Sequence, residues 1–472
     1  MPDSEAIEFG TDGWRGIIAE NFTFANVCKV TRAIARYLET AYDRDRPVLV
    51  GYDTRFLAES FAQTAAEILA AQGWSVRMVD RDCPTPVLAY CAREFHTVGA
   101  LMFTASHNPA IYCGIKYIPD YAGPATTEIT DAIAAFLDAA EIAVSEPGTI
   151  TAFNPAIDYQ NYLLTLLDCD RLRQAHLLVK YDALYSTSRG YLDVLLRQCG
   201  CRVETLHDRR DVLFGGGVPE PNGEQLRELV QAVQCDRADL GVATDGDSDR
   251  FGIVDEQGNR LEPIQVLLVL VRHLVEQKGQ SGAIVRTVAT THLLDSLAQH
   301  YGLKSIETAV GFKHIGQVMR QTEVLIGGEE SGGLSIGSHI PEKDGILAGL
   351  LVAEAIACAQ KPLSVLVAEV IAIAGGMRFN YRIDYCLNAA AKQIVLATFQ
   401  TDPPLTIAGV SVQSIGHKDG VKLYLEDDSW VLLRASGTEP LLRVYVEARS
   451  PLQQQQMTAQ LKDFIDQILT HG

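Results

Sequence analysis

Apolar runs alternate with helical stripes along most of the chain, and several of the runs end in a polar loop. RPVLVGYDTR (46–55) predicts a strand ending in a polar turn, and FLAESFAQTAAEILAAQG (56–73) predicts a helix closed by Gly73. VGALMFTASHNP (98–109), LGVATDGDSD (240–249) and EVLIGGEESGG (323–333) repeat the scheme of strand into polar loop. Such alternation points to α/β architecture with largely parallel sheets, in which ligands collect at the loops leaving the strand C-termini. Near the end, Ser450 is a candidate N-cap and Pro451 a first helical residue. Met457, Leu461, Phe464, Ile465, Ile468 and Leu469 follow as a helical stripe.

Breaks in these patterns divide the chain into four units, 1–150, 151–255, 256–373 and 374–472. SEPGTITAFNP (145–155), rich in Pro, Gly and Thr, reads as a linker; DEQGNR (255–260) is a hairpin-like turn; AGGMRFN (374–380) interrupts helical periodicity. At about 150 residues per domain, a chain of 472 residues is expected to hold roughly three, with two to four compatible.

Composition narrows the function classes. Hydrophobic residues make up 47% and charged residues 21%, enough for a large core and too apolar for wholesale disorder. A net charge of -19 repels nucleic acid and anionic membranes, so neither is expected as a partner. Binding of phosphorylated metabolites would need a basic patch inside a cleft. The ten cysteines are scattered and complete no zinc pattern, which suits reduced core thiols of a cytosolic protein. The start MPDSEAIEFG lacks a basic and apolar signal region, and the runs 266–271 and 345–353 are too short to span a bilayer. The expected location is therefore the cytoplasm.

Four loops carry unusual chemistry. Asp245, Asp247 and Asp249 alternate in DGDSDR, giving hard oxygen ligands suited to Mg²⁺ or Ca²⁺. An EF-hand is the alternative, with Glu256 at position 12, but Arg250 stands where that loop needs glycine and a strand precedes it. TASHNP places Ser106 beside His107 on a strand-end loop, a nucleophile with a base or acid, or simply a Ser/Asn/Pro turn. Lys116 follows ten residues on. GGEESGG (327–333) combines carboxylates with a hydroxyl, a set suited to sugar hydroxyls. RASGTEP (434–440) offers a guanidinium, two hydroxyls and a Gly, a plausible phosphate clamp. Asp53 and Arg55 read as a pair at a turn. A divalent metal site, a serine, a sugar reader and a separate phosphate clamp together point to phosphoryl transfer on a sugar phosphate.

The set FGTDGWRG, TASHNP, DGDSDR, GEESGG and RASGTEP, in this order from about residue 8 to about 448, resembles the α-D-phosphohexomutases. This family includes phosphoglucomutases and phosphomannomutases. The resemblance implies four domains around a central cleft. Three would be similar α/β domains with mixed sheets, and the smaller C-terminal one an α+β domain like the TATA-box-binding protein. The four units above would carry, in order, the phosphoserine, metal, sugar and phosphate loops. It further implies that Ser106 carries the transferable phosphoryl group. Asp245, Asp247, Asp249 and an oxygen on Ser106 would hold one Mg²⁺, and Arg15, His107 and Lys116 would lie near the reacting phosphate. Lys343 in PEKDG matches a lysine implicated in acid/base work. Glu329 and Ser331, with Arg250 and Gly311 nearby, would hold sugar hydroxyls. Arg434, Ser436, Gly437 and Thr438 would clamp the non-reacting phosphate.

The implied reaction interconverts glucose 1-phosphate and glucose 6-phosphate, with mannose phosphates left open, and a hexose 1,6-bisphosphate serves as intermediate or activator. Two other readings use the same residues: a glucose 1,6-bisphosphate synthase fed by a bisphosphate donor, and a non-catalytic sugar-phosphate sensor. Monomer and dimer are equally compatible with the sequence.

Overall fold

The computed structural model describes residues 7, 9, 13–138, 146–436 and 441–471, organised on four sheets. In the first, strands Val48–Tyr52, Val76–Val79, Gly99–Phe103 and Ile150–Phe153 run parallel. Tyr112–Pro119 pairs antiparallel to Gly99–Phe103, and Trp14–Ile17 antiparallel to Tyr112–Pro119. In the second, Leu178–Asp182, Arg202–Leu206 and Leu240–Thr244 are parallel, and Phe251–Val254 and Arg260–Leu261 add antiparallel strands. In the third, Ala283–Thr287, Ser305–Thr308 and Val324–Gly328 are parallel, and Leu334–Ile336 turns back against them.

These three mixed sheets share one device. Parallel neighbours need a long crossover, whereas an antiparallel neighbour is reached by a short hairpin. In each sheet one parallel strand therefore ends in a tight loop instead of a helix: 104–111, 245–250 and 329–333. These loops hold Ser106, the three aspartates and Glu329. Helices cover the sheet faces, so the strands feeding the loops are buried throughout. Helix Gly345–Ala359, buried from Gly345 through Ala357, packs on the second sheet and on helix Pro263–Glu276 of the third unit. Among the described residues no single helix is long and apolar enough to cross a membrane.

The C-terminal unit is α+β. Its antiparallel sheet runs Phe379–Cys386, Leu441–Ala448, Trp430–Ala435, Val421–Leu425, Val410–Gly416, Thr406–Ile407. Helices Ala389–Thr401 and Pro451–His471 cover it around Val395, Phe399, Leu433, Met457, Leu461 and Ile465. Ser450 Oγ accepts from the Gln453 amide (3.1 Å), the N-cap read from the sequence.

Two expected boundaries need correction. The linker 145–155 contains strand Ile150–Phe153, so the first sheet continues past residue 150. Its residues lie mostly exposed at a sheet edge, which leaves no buried alternation to reveal a strand. The break at 255/256 falls inside a hairpin, because Arg260–Leu261 pairs back onto the second sheet. The cysteines are also not uniformly in the core, since Cys235 and Cys386 are exposed.

The fourth unit docks on the third through a polar contact. Lys422 Nζ donates to the Val288 carbonyl (2.7 Å) and Glu307 (3.2 Å), and lies over the Trp430 ring (4.2 Å). His292 stacks on Tyr424, with Nε2 3.1 Å from Lys422 Nζ. Burial first, then the charges of Lys422, Arg286 and Arg378, push the His292 pKa down to about 2. An imidazole held neutral in the fold but free to protonate near 6.5 when released stabilises the contact fully above pH 6.5, and this contribution is lost as pH falls toward 2. Acidifying from pH 7 to 5 should weaken the contact by up to about 2 kcal/mol. Thermal midpoints against pH for the wild type and His292→Gln test this: the variant should show a flatter acid limb, and an unchanged slope would refute it.

Candidate active site

Ser106 sits at φ +51°, the left-handed region, with its side chain buried. Backbone contacts hold this strained position. The Ser106 amide donates to Thr104 Oγ1 (2.8 Å), and the Thr104 hydroxyl to Asp53 Oδ2 (2.7 Å). Asp53 pairs with Arg55 (3.0 Å), both fully buried, as the turn reading anticipated. That reading missed what else Arg55 does. Its Nη1 donates to the carbonyls of Pro109 (2.8 Å) and Tyr112 (2.9 Å), and its Nη2 to those of Ser106 and Asn108 (both 2.7 Å). With Nε on Asp53, the whole guanidinium fork braces the serine loop from beneath. A charged pair directly after the apolar run VLVGY was the available signal.

The serine hydroxyl donates to Asp245 Oδ2 at 2.7 Å, across 139 residues of sequence. Asp245, Asp247 and Asp249 are all fully buried, and each has a carboxylate oxygen within 4.8 Å of the others'. Asp247 Oδ2 accepts from Thr85 Oγ1 (2.6 Å) and Lys116 Nζ (3.1 Å). The Thr85 contact had no signal in the sequence. Asp247 Oδ1 and Asp249 Oδ1 accept no hydrogen bond. Burial, then the neighbouring Asp249 and Asp247, raise the Asp245 carboxyl well above its usual range. Clustered hard oxygens with unsatisfied lone pairs fit a divalent cation. Glu256 lies elsewhere, bonded to Ser364, which removes the EF-hand alternative.

Cations surround the cluster. Lys116 reaches Asp247 and Asp249 (3.1 and 3.5 Å), and Lys343 reaches Asp249 (3.0 Å). Arg15 Nη1 donates to Asn108 Oδ1 on the serine loop (2.7 Å). His107 Nδ1 is 3.4 Å from Ser106 Oγ. Burial first, then Arg250, Arg15 and Lys343, depress the His107 pKa to about 2, so its imidazole is neutral at pH 7. These cations offset the buried aspartates within an otherwise acidic chain.

The residues expected to read sugar hydroxyls connect to these loops. Arg250 bridges to Gly333, linking the 245–250 and 329–333 loops. A Cβ on Gly333 would lie 2.4 Å from Lys343 Cδ, so the lysine stem runs directly over that glycine. Glu329 accepts from the Gly311 amide (3.1 Å), while Glu330 turns away to Thr287 and Thr290. Ser331 is exposed at the loop tip. Asp419, which the sequence did not single out, accepts from Arg434 Nε (2.7 Å) and from the Val310 amide (2.9 Å), tying the clamp arginine to the segment leading into Gly311. Ser436 is buried, its amide donating to Leu441 O (2.9 Å). Gly437 and Thr438 lie outside the described residues, as do Gly10 to Asp12 of the first motif.

The serine loop also packs on the aspartate loop at Gly246. A Cβ on Gly246 would fall 2.5 Å from the Ser106 carbonyl oxygen and 3.2 Å from Pro219 Cγ. Gly246→Ala should therefore push Ser106 away from Asp245 and lower kcat by about 100-fold, the cost of displacing reacting groups by roughly 1 Å. Steady-state kinetics check this, and an unchanged kcat in a folded variant would refute it.

Family models for the phosphoglucomutase/phosphomannomutase domains match in order. Alpha/beta/alpha domains I, II and III match residues 6–143, 158–258 and 262–373, and the C-terminal domain matches 400–464. The chain is 30% identical to a probable phosphoglucosamine mutase of Methanothermobacter thermautotrophicus, covering 99% of this chain and 100% of that protein. It is also 30% identical to the phosphoglucomutase/phosphomannomutase of Thermococcus kodakarensis, covering 94% of each. The crystal structure of a Thermus thermophilus protein put forward as a phosphomannomutase superposes with TM-score 0.86 at 34% identity, over 98% of this chain and all of that one. Four domain matches in order, with relatives 30% identical along almost the whole chain, place this protein in the phosphoglucomutase/phosphomannomutase family of phosphoryl-transferring mutases.

Proposed function

We propose that this chain interconverts glucose 1-phosphate and glucose 6-phosphate, carrying the phosphoryl group on Ser106 and passing through a hexose 1,6-bisphosphate. The observation that carries the reading is the 2.7 Å hydrogen bond from Ser106 Oγ to Asp245 inside a fully buried triad of aspartates. Asp245, Asp247 and Asp249, with an oxygen on Ser106, would hold Mg²⁺. When bound there, the ion would supply positive charge that offsets the phosphoryl oxygens.

The remaining work falls to the chain itself. Lys116, Arg15 and Arg250 draw the anionic substrate into an otherwise acidic protein. Neutral His107 stands beside the serine oxygen and can exchange a proton with it. Lys343, between Asp249 and the Gly333 turn, would be the acid/base partner of the sugar oxygen, giving up its ammonium proton in one direction and regaining it in the other. Glu329 reads hydroxyls, and Arg434 with Ser436 grips the phosphate that is not reacting. Because the grip and the serine lie on different domains, the bisphosphate can turn over and present its other end to Ser106. Closure of the C-terminal domain would exclude water, which otherwise hydrolyses the phosphoserine.

The preference for glucose rests on the loop Gly328-Glu329-Glu330-Ser331-Gly332-Gly333, where Glu329 is the carboxylate turned toward Gly311. Assays on glucose, mannose and glucosamine 1-phosphates with Mg²⁺, with and without added bisphosphate, test it. Fastest turnover of glucosamine 1-phosphate would overturn the glucose reading and leave the mutase intact. Accumulation of bisphosphate from a second donor would make the bisphosphate the product. Chelation should abolish turnover, and Mg²⁺ at about 100 times its Kd should restore it and add about 2.7 kcal/mol of stability by mass action. Thermal shift against Mg²⁺ concentration reads this, and a flat titration would refute the assignment of the triad.

A further inference from the structure

Away from the cleft, Cys169 and Cys199 lie with their sulfurs 2.8 Å apart. A third thiol, Cys201, stands close enough to raise the pKa of Cys199. Two sulfurs at this separation need to approach by only about 0.8 Å to reach bonding distance. We propose that Cys169 and Cys199 form a reversible dithiol–disulfide pair, oxidised by a peroxide and restored by a small dithiol.

The two partners are unequally placed. Cys169, at the start of helix Cys169–Ala175, is half-buried and open to a small oxidant. Cys199, at the end of helix Leu192–Gln198, is fully buried. Burial first, then its hydrogen bond to Cys169, hold the Cys199 thiol well above the usual range. Cys199 therefore stays protonated while Cys169 reacts. The Cys169 thiolate attacks one peroxide oxygen, the O–O bond breaks, and the second oxygen leaves as water after taking a proton. The Cys169 sulfenic acid that results is attacked by the Cys199 sulfur. The S–S bond forms as the S–O bond breaks, and the hydroxyl leaves as water with the proton from Cys199. Two thiols and one hydrogen peroxide give one disulfide and two waters, two electrons passing to oxygen.

The bond would close a loop spanning 30 residues. That loop contains strand Leu178–Asp182 and the turn whose Thr187 hydroxyl is 2.8 Å from Ser248 Oγ in the metal loop. Oxidation thus stiffens the support beneath the metal loop without touching a site residue.

The test treats the reduced full-length protein with stoichiometric hydrogen peroxide, blocks free thiols with iodoacetamide and maps peptides without reductant. The tryptic peptide 198–202 holds both Cys199 and Cys201, so the mapping is done on Cys201→Ser as well as the wild type. The expected result is a cross-link from Cys169 to Cys199 in both proteins, two hydrogen masses lighter than the separate peptides and reversed by dithiothreitol. It should vanish in Cys169→Ser and Cys199→Ser, which should keep the basal mutase activity. Exposed Cys235 and Cys386 should be alkylated throughout. Alkylation of Cys169 and Cys199 after peroxide, irreversible over-oxidation of Cys169, or a cross-link lost in Cys201→Ser would overturn the proposal.

Discussion

Ser106→Ala is expected to lower mutase turnover by at least about 10⁴-fold while leaving the protein folded. The substitution removes the hydroxyl that lies against Asp245, and the groups left beside it are those proposed as metal ligand, Asp245, and proton carrier, His107. The structural cost is small. The lost hydrogen bond to Asp245 removes about 1–2 kcal/mol, and alanine occupies the same backbone conformation at the same strain. Ser106→Gly separates the two effects. At φ +51° glycine relieves strain of about 1 kcal/mol, so this variant should be at least as stable as the alanine variant and equally inactive. Intact mass after incubation with glucose 1,6-bisphosphate gives the direct readout: the wild type should gain one phosphoryl group and both variants none. Persistent turnover, or phosphoryl uptake by Ser106→Ala, would place the carrier elsewhere.

Arg55→Met should be the most damaging substitution that touches no substrate. It leaves the carbonyls of Ser106, Asn108, Pro109 and Tyr112 without their donor and strands Asp53 as a buried carboxylate. Burial already raises Asp53 to about 6 with Arg55 in place. Breaking a buried pair of this kind costs about 3–5 kcal/mol. The serine loop would lose its brace, and kcat should fall by about 100-fold through misplacement alone. KM for the sugar phosphate should change little, because Glu329 and Arg434 sit on other loops. Arg55→Lys keeps the charge but not the planar fork, so it should recover stability more than kcat. Urea unfolding paired with kcat and KM tests this. A folded Arg55→Met with normal kcat would show that the brace is structural alone.

How legible this site was depended on where its residues stand. Ser106, the three aspartates and Glu329 were conspicuous because each interrupts an apolar strand with a polar loop, a pattern visible along the chain. Lys116 and Lys343 were harder to read alone, since a lysine in a mixed run is usually a surface residue; the structure buries both against Asp247 and Asp249. Arg55 was undervalued because its partners are carbonyls, which every residue has. Thr85 and Asp419 act across domains, and no local pattern encodes such a contact. The strand at 150–153 escaped for the opposite reason: its side chains face solvent, so the backbone pairing is its only signal.

Because the three loops cap hairpins and not helix starts, a change at an exposed tip position such as Ser331 need move no helix. Strand register is held below the loop by buried pairs such as Ile326 with Ile336, while Ser331 at the tip is exposed. On the proposed function, substitution of exposed Ser331 should retune the sugar recognised while the serine and its aspartates keep their places on separate sheets. A lineage built on that reading can diversify at single exposed tip positions, one sugar at a time, with its phosphoryl chemistry inherited unchanged.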